Sequence, residues 1–240
     1  MLTIFGFYTD DPVYTKHALM LQASAHKFGI DILLHKVSND EWQKIIAYKP
    51  VFIADMRRKL DGPILYIDVD ALILEDIQPY FLNIQEDIAV HYIDNKRLIS
   101  GTVFLNDKPI VYSLVNEWEK QQLESPEVWD QIVLQNILDQ WIENKDIAVH
   151  KLSPSYMFIY DTSAKTYGNN YKTIIEHYQA SRDKRWLKKY EGRSSFQQWL
   201  MKFPHLRRST RKVTRRHDQI NHRLTDLDIN MRITLDDILS

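Results

Sequence analysis

PILYIDVDALIL, residues 63–74, is the stretch on which the reading of this chain turns. Its first half is an uninterrupted apolar run, the pattern of a strand buried on both faces in a parallel sheet. That run delivers two carboxylates, Asp68 and Asp70, and more apolar residues follow. On a strand, positions i and i+2 face the same way, so the pair is expected to point together. Enclosing both without a cation would raise at least one carboxyl pKa through desolvation and like-charge repulsion, and a divalent metal is the simplest resolution. The plainer alternative is a pair of exposed loop aspartates, which are rarely embedded in so apolar a run.

The flanking sequence supplies the rest of an α/β pattern. LTIFGFYTD at the start reads as a buried strand ending in a turn at Thr9–Pro12. From Val13 to Phe28 the apolar residues recur at helical steps, with Gly29 as the C-cap. IDILLHKV reads as a second strand, and Asp40–Tyr48 as a helix capped by Asp40 and stopped before Pro50. VFIADMRRKL resumes helically up to the breakers Asp61, Gly62 and Pro63. DIAVHYID and RLISGTVFLN read as strands, Val111–Gln122 and Val128–Glu143 as helices, and AVHKLSP as a last strand. Alternating strands and helices predict an α/β sheet, mixed towards its end.

With 44% apolar and 26% charged residues in 240, the chain has the composition of a globular protein and not of a disordered or coiled-coil one. No run approaches the eighteen or so apolar residues of a spanning helix, and no basic leader precedes the first strand. A soluble, cytoplasmic chain is expected. The absence of cysteine excludes disulfides, thiolate metal sites and a cysteine nucleophile, so any metal must be held by oxygen and imidazole. The net charge of −1 hides a division: residues 1–183 carry a net −9, 184–216 a net +11 and 217–240 a net −3. Two parts are therefore expected, a body over 1–183 and a basic, helical extension over 184–240. The extension either meets a polyanion or presents a solvated basic face.

ILYIDVD resembles the DxD motif of GT-A glycosyltransferases, and it does not stand alone. ISGTVFLN follows about thirty residues later, WDQIVLQN about thirty further on, and EHYQASRDKRW after that. In this order the four blocks are similar to those of glycosyltransferase family 8 and related nucleotide-diphospho-sugar transferases, over roughly residues 1–186. The resemblance implies a GT-A, Rossmann-like, mostly parallel sheet flanked by helices, and an enzyme that uses Mn²⁺ or Mg²⁺ and a nucleotide-sugar donor, with UDP as the nucleotide. It implies that Tyr8, Thr9 and Asp10 meet the nucleoside, that Asp68 contacts the ribose or metal, and that Asp70 and His177 are metal ligands. A packed core histidine is the alternative for His177. Ser100, Gly101 and Thr102 would lie along the donor, with Gly101 allowing close backbone approach. Asp130 and Gln131 would face the donor sugar, while a helix N-cap is the structural alternative for Asp130. Arg182 and Lys184 would neutralise the departing phosphate. The chain departs from family 8 in two places: Ser100 stands where an asparagine is usual, and Ala180–Trp186 replaces a block with glycine and Lys-Pro-Trp.

Breaking the anomeric C–O bond puts negative charge on the β-phosphate and makes the sugar oxocarbenium-like, and the metal and basic residues answer the first change. An amide such as Gln131 is too weak a nucleophile for a covalent intermediate, so same-face attack with retention is what the resemblance implies. For the acceptor, the only clue is the basic segment, in which Trp186, Tyr190, Phe196, Trp199 and Phe203 alternate with Lys and Arg. Such a segment suits an anionic membrane, on whose inner face the chain would meet a lipid-linked glycan. It also suits DNA, including the modified bases of a phage genome. A glycan acceptor is the preferred expectation. A sugar-nucleotide-binding module without turnover, or a nucleic-acid-binding protein with an incidental DxD, would leave the ordered set of four blocks unexplained.

Overall fold

The computed structural model describes residues 1–38, 42–168, 171–205 and 207–239. In chain order the elements are β1 (Thr3–Thr9), α1 (Pro12–His26), β2 (Ile32–Val37), α2 (Trp42–Lys59), β3 (Ile64–Ile67), β4 (Ala71–Ile73), α3 (Gln78–Leu82), β5 (Ile88–Ile93), β6 (Arg97–Leu105), α4 (Pro109–Glu124) and α5 (Asp130–Glu143). They continue with β7 (Val149–Lys151), β8 (Phe158–Ile159), α6 (Ser163–Tyr167), β9 (Ile175–His177), α7 (Ser181–Glu191), α8 (Ser195–Met201), α9 (Arg208–Asp226) and α10 (Leu235–Leu239).

Alternation along the strands decides the layers. Phe5, Phe7 and Tyr66 face a core that contains Phe52 of α2, Trp118 of α4 and Leu134 of α5. Ile4, Leu65 and Ile67 face the opposite core, with Ala18 and Leu21 of α1. With both faces covered, the central strands have to be apolar throughout, as the sequence pattern requires. The six strands lie in the order β2-β1-β3-β6-β5-β7. β1 pairs in parallel with β2 and β3, and β5 with β7, whereas β6 runs antiparallel between β3 and β5. That insertion brings the middle of β6 beside the carboxyl end of β3, and the Asp68 amide donates to the Gly101 carbonyl at 2.8 Å.

Three expectations need correction. Pro50 does not end a helix: α2 runs through it from Trp42 to Lys59. A proline in a helix interior costs about 3 kcal/mol. Here Phe52, Ile53, Ala54 and Met56 are all buried, and their packing outweighs that loss. The expected N-cap Asp40 lies outside the described residues. Asp68 and Asp70 are not on a strand either, because β3 ends at Ile67 and the chain turns through Val69 and Asp70 before β4. Nor is the strand at Val149–Lys151 the last. β4, β9 and β8 form a small second sheet in which Ala71 is paired with His177, so the residue following Asp70 is tied to the histidine block.

The change to basic composition at residue 184 falls within α7. The helices beyond it pack their apolar sides against the body: Trp186, Met201, Val213 and Ile238 join Val13 of α1, while Ile220 and Leu224 join Met20 and Leu72. Trp186 Nε1 donates to Thr210 Oγ1 at 3.1 Å, and Thr210 Oγ1 donates to the Met201 carbonyl at 2.7 Å, which pins α7, α8 and α9 together. Beneath them, Asp183 is fully buried and accepts from Arg216, with His217 Nε2 at 2.9 Å and His17 Nε2 at 3.9 Å. Burial alone would raise this carboxyl, but His17, His217 and Arg216 hold it far below the usual carboxylate range.

Asp183→Asn would remove the buried carboxylate that Arg216 and His217 share, leaving the guanidinium only its contact with Asp161 at 3.1 Å. It is expected to cost about 3–5 kcal/mol in urea unfolding at neutral pH. Because the folded-state pKa is depressed, the wild-type advantage is complete above about pH 4, the unfolded value, and shrinks as pH falls towards the folded value. Equal stability of the two proteins at neutral pH would refute the role given to this cluster.

Candidate active site

Where β1 and β3 end beside the middle of β6, a cavity of about 400 Å³ opens. Asp68, Asp70, Asp130 and His177 reach it, together with Lys49 and Arg182. Asp68 Oδ1 accepts from the Tyr66 hydroxyl at 2.7 Å and lies 3.0 Å from Lys49 Nζ. Asp130 Oδ2 accepts from Ser100 Oγ at 2.6 Å and lies 3.5 Å from the same ammonium. Lys49 therefore bridges two carboxylates contributed by separate blocks of the sequence.

The electrostatics follow from that geometry. Burial acts to lower the Lys49 pKa, yet Asp130 and Asp68 outweigh it and hold the pKa raised, so the ammonium persists. Enclosure raises the Asp68 carboxyl against the opposing effect of Lys49. Asp70 goes the other way: enclosure would raise it, but His177, His17 and the Ala180 amide, which donates to Oδ2 at 2.9 Å, leave it lowered. Burial pushes the Tyr66 and Tyr14 phenols well up, keeping both as hydrogen-bond donors.

His177 Nδ1 lies 3.6 Å from Asp70 Oδ1, is buried, and has no hydrogen-bond partner among the described residues. Its Nε2 is 3.0 Å from Thr102 Oγ1. A buried imidazole nitrogen left open beside a carboxylate is a donor set that suits a hard or borderline divalent cation. Among the described residues no three His, Asp or Glu side chains gather closely enough to hold a metal ion by themselves. An open set with one or two carboxylates, completed by substrate phosphates, is the usual arrangement for Mg²⁺.

The other expected residues divide between the cavity and its surroundings. Tyr8, Thr9, Ser100, Gly101 and Gln131 line the cavity. A Cβ added at Gly101 would meet the Met157 Cε at 2.5 Å and Asp68 Oδ2 at 3.2 Å, so this glycine keeps space open along the wall. Thr102 stands behind His177. Arg182 lines the cavity with its guanidinium 2.5 Å from Asp161 Oδ2. Asp10 and Lys184 are not among the lining residues: Asp10 is drawn to Lys36 at 2.8 Å, and Lys184 pairs with Asp11 at 3.1 Å and lies over the Tyr14 ring. Asp130 does not cap α5. Trp129 occupies the N-cap, and the Asp130 carboxylate turns to Ser100 and Lys49 instead. Tyr14, Lys49, Tyr66, Trp129, Met157 and Gln179 are among the further wall residues that were not singled out as site residues in the sequence. Lys49 carries no local signal, because only an α2 that continues through Pro50 brings it to the cavity.

A mixed sheet with parallel strands, helices on both faces and an acidic, cation-bridged cavity at the carboxyl ends of β1 and β3 is an α/β architecture of the GT-A kind. The chain belongs to the nucleotide-diphospho-sugar transferase family, whose family model matches residues 14–191, and it is a glycosyltransferase. Among solved structures, the fold is similar to that of a glycosyltransferase involved in the glycosylation of the major capsid of PBCV-1. The TM-score is 0.57 at 11% identity, over 78% of this chain and 98% of that one. It is also similar to the glycosyltransferase GlyE of Streptococcus pneumoniae TIGR4, with a TM-score of 0.50 at 16% identity, over 74% of this chain and 54% of that one. A comparison with curated protein sequences finds no match.

Lys49→Met is expected to lower turnover on the order of a hundredfold, since it removes the charge that bridges Asp68 and Asp130. Steady-state rates at saturating donor test this, and an unchanged rate would exclude Lys49 from the machinery. Gly101→Ala meets mainly the flexible end of Met157, so the variant should fold. Its donor KM is expected to rise on the order of tenfold, with a melting temperature close to wild type.

Proposed function

We propose that the chain transfers a glycosyl residue from a nucleoside diphosphate sugar to a glycan, in the form of a lipid-linked glycan at the inner face of a membrane, using a divalent cation and retaining the anomeric configuration. One observation carries this reading: Asp70 and the unpartnered Nδ1 of His177 share a cavity with the Lys49–Asp130–Ser100 cluster. Uridine as the base rests on the resemblance to family 8.

In this reading Asp70 and His177 would hold Mn²⁺ or Mg²⁺, with Asp68 beside them. The bound cation supplies Lewis-acid stabilisation of the departing diphosphate. Arg182, at the start of α7, adds positive charge from the protein side, oriented by Asp161. Lys49 fixes the Asp68 and Asp130 carboxylates in the geometry they need when the donor enters. Asp130 and Gln131 stand beside the anomeric carbon as positive charge develops there. Gln131 is a poor nucleophile, and the Asp130 carboxylate is occupied by Ser100 and Lys49, so the acceptor hydroxyl attacks on the leaving-group face as the anomeric C–O bond to the diphosphate breaks, its proton passing to the departing phosphate oxygen.

The test is nucleotide release from a panel of nucleotide sugars with Mn²⁺ and no acceptor, for wild type, for Asp70→Ala and with EDTA. Slow release from one donor is expected, falling on the order of a thousandfold in both controls. Release that persists in EDTA and in Asp70→Ala would overturn the metal-dependent reading. No release from any donor, together with no Mn²⁺-dependent UDP binding, would overturn the donor assignment.

A further inference from the structure

The transferase chemistry leaves the outer face of α7, α8 and α9 unused. Residues 184–216 hold twelve Lys and Arg and one acid, Glu191. Arg216 is buried against Asp183 and Lys184 pairs with Asp11; the other ten are exposed, and none of them forms an ion pair among the described residues. Helical spacing gathers them. Arg185, Lys188 and Lys189 stand at i, i+3 and i+4 on α7, all three exposed while Trp186 is buried, and Arg208, Lys212 and Arg215 stand at i, i+4 and i+7 on α9.

In the chain between these two helices, α8 turns Met201 inward and leaves Phe196 and Trp199 outside, 68% and 54% exposed. Three residues apart on one helix, they share a face. Their rings stack with centroids 6.1 Å apart at 22°, and Trp199 meets Phe203 edge-on at 4.9 Å. The result is an apolar ridge of three rings, preceded and followed in the chain by helices whose exposed Lys and Arg side chains form no ion pair among the described residues.

From this arrangement we infer that the outer face of α7–α9 docks on an anionic lipid bilayer, with Phe196 and Trp199 entering the boundary between headgroups and acyl chains and the Lys and Arg side chains lying over lipid phosphates. Charge complementarity selects an anionic partner, and the ridge selects lipid over nucleic acid. A platform for single-stranded bases needs separated, open ring faces. Here the two exposed rings lie nearly parallel but offset, side by side on one helix face and next to Phe203, an aromatic edge that suits joint insertion into an interface. Arg182 in the cavity wall and Lys189 on the docking face are seven residues apart on α7, about 10 Å along its axis, so a docked bilayer would lie close to the donor cavity. Docking rests on the membrane-side acceptor of the proposed function, but it requires neither donor nor metal, so its failure would remove that acceptor and leave the donor chemistry to its own test.

Co-sedimentation with phosphatidylcholine vesicles, with and without about a third phosphatidylglycerol, tests the inference. Wild type is expected to bind only the anionic vesicles, less tightly as salt rises. Each Lys or Arg near an anionic surface strengthens binding about fivefold, so Lys188→Gln/Lys189→Gln/Arg208→Gln/Lys212→Gln together should weaken it at least on the order of a hundredfold. Phe196→Ser/Trp199→Ser should weaken it at least on the order of tenfold. All six side chains are exposed, so donor hydrolysis should be unchanged in both variants, which reports that the fold survives. No binding to anionic vesicles, equal binding to neutral ones, or vesicle binding indifferent to loss of the aromatic pair would each overturn the inference. DNA binding by a protein that ignores vesicles would do the same and assign the face to a phosphate backbone.

Discussion

Three carboxylates, Asp68, Asp70 and Asp130, face one cavity at the carboxyl end of the sheet, and much of the surrounding structure answers the cost of enclosing them together. No single cation compensates all three. Lys49 lies between Asp68 and Asp130, while Asp70 is left to His177 and the Ala180 amide. The compensating groups come from remote parts of the chain. Lys49 requires a helix that survives its own proline. His177 requires a second sheet that pairs β9 with β4. The antiparallel insertion of β6 beside β3 then brings Ser100 and Gly101 to the same place. Mixed strand direction is thus part of how the site is assembled.

The C-terminal helices repeat the device away from the cavity. Asp183 is enclosed by Arg216, His217 and His17, from α9 and α1, so the junction between the acidic body and the basic extension is an internal ion cluster and not a loose linker. A buried charge cluster does not stabilise a fold relative to well-packed apolar residues, but it punishes any arrangement that separates its members. It therefore fixes where α9 lies on α1.

Much of the framework was legible because it rests on local periodicity. The apolar run before Asp68, the helical steps of α1 and the strand ISGTVFLN are all set by burial of nearby residues. Asp68, Asp70, His177 and Asp130 were visible as residue types in an ordered set of blocks. What escaped was non-local. Pro50 reads as a stop in isolation, and only packing of Phe52, Ile53 and Met56 reveals a continuous α2, and with it Lys49. The strands β8 and β9 span two and three residues, too short for a period to register. Asp10 and Lys184 are plausible by position, but each has a nearer partner of opposite charge.

The two sides of α9 are under different constraints. Inward, Val213, Ile220 and Leu224 fill space that α1 and β4 would otherwise expose, and any change there registers as stability. Outward, Arg208, Lys212 and Arg215 touch nothing that the fold requires. Substitution on that side is nearly free of structural penalty. Natural variation can therefore retune what this enzyme adheres to, one surface residue at a time, while the donor cavity stays as it is. Truncation offers no such separation, because removing the extension to abolish its charge would also strip the cover from Val13 and Met20.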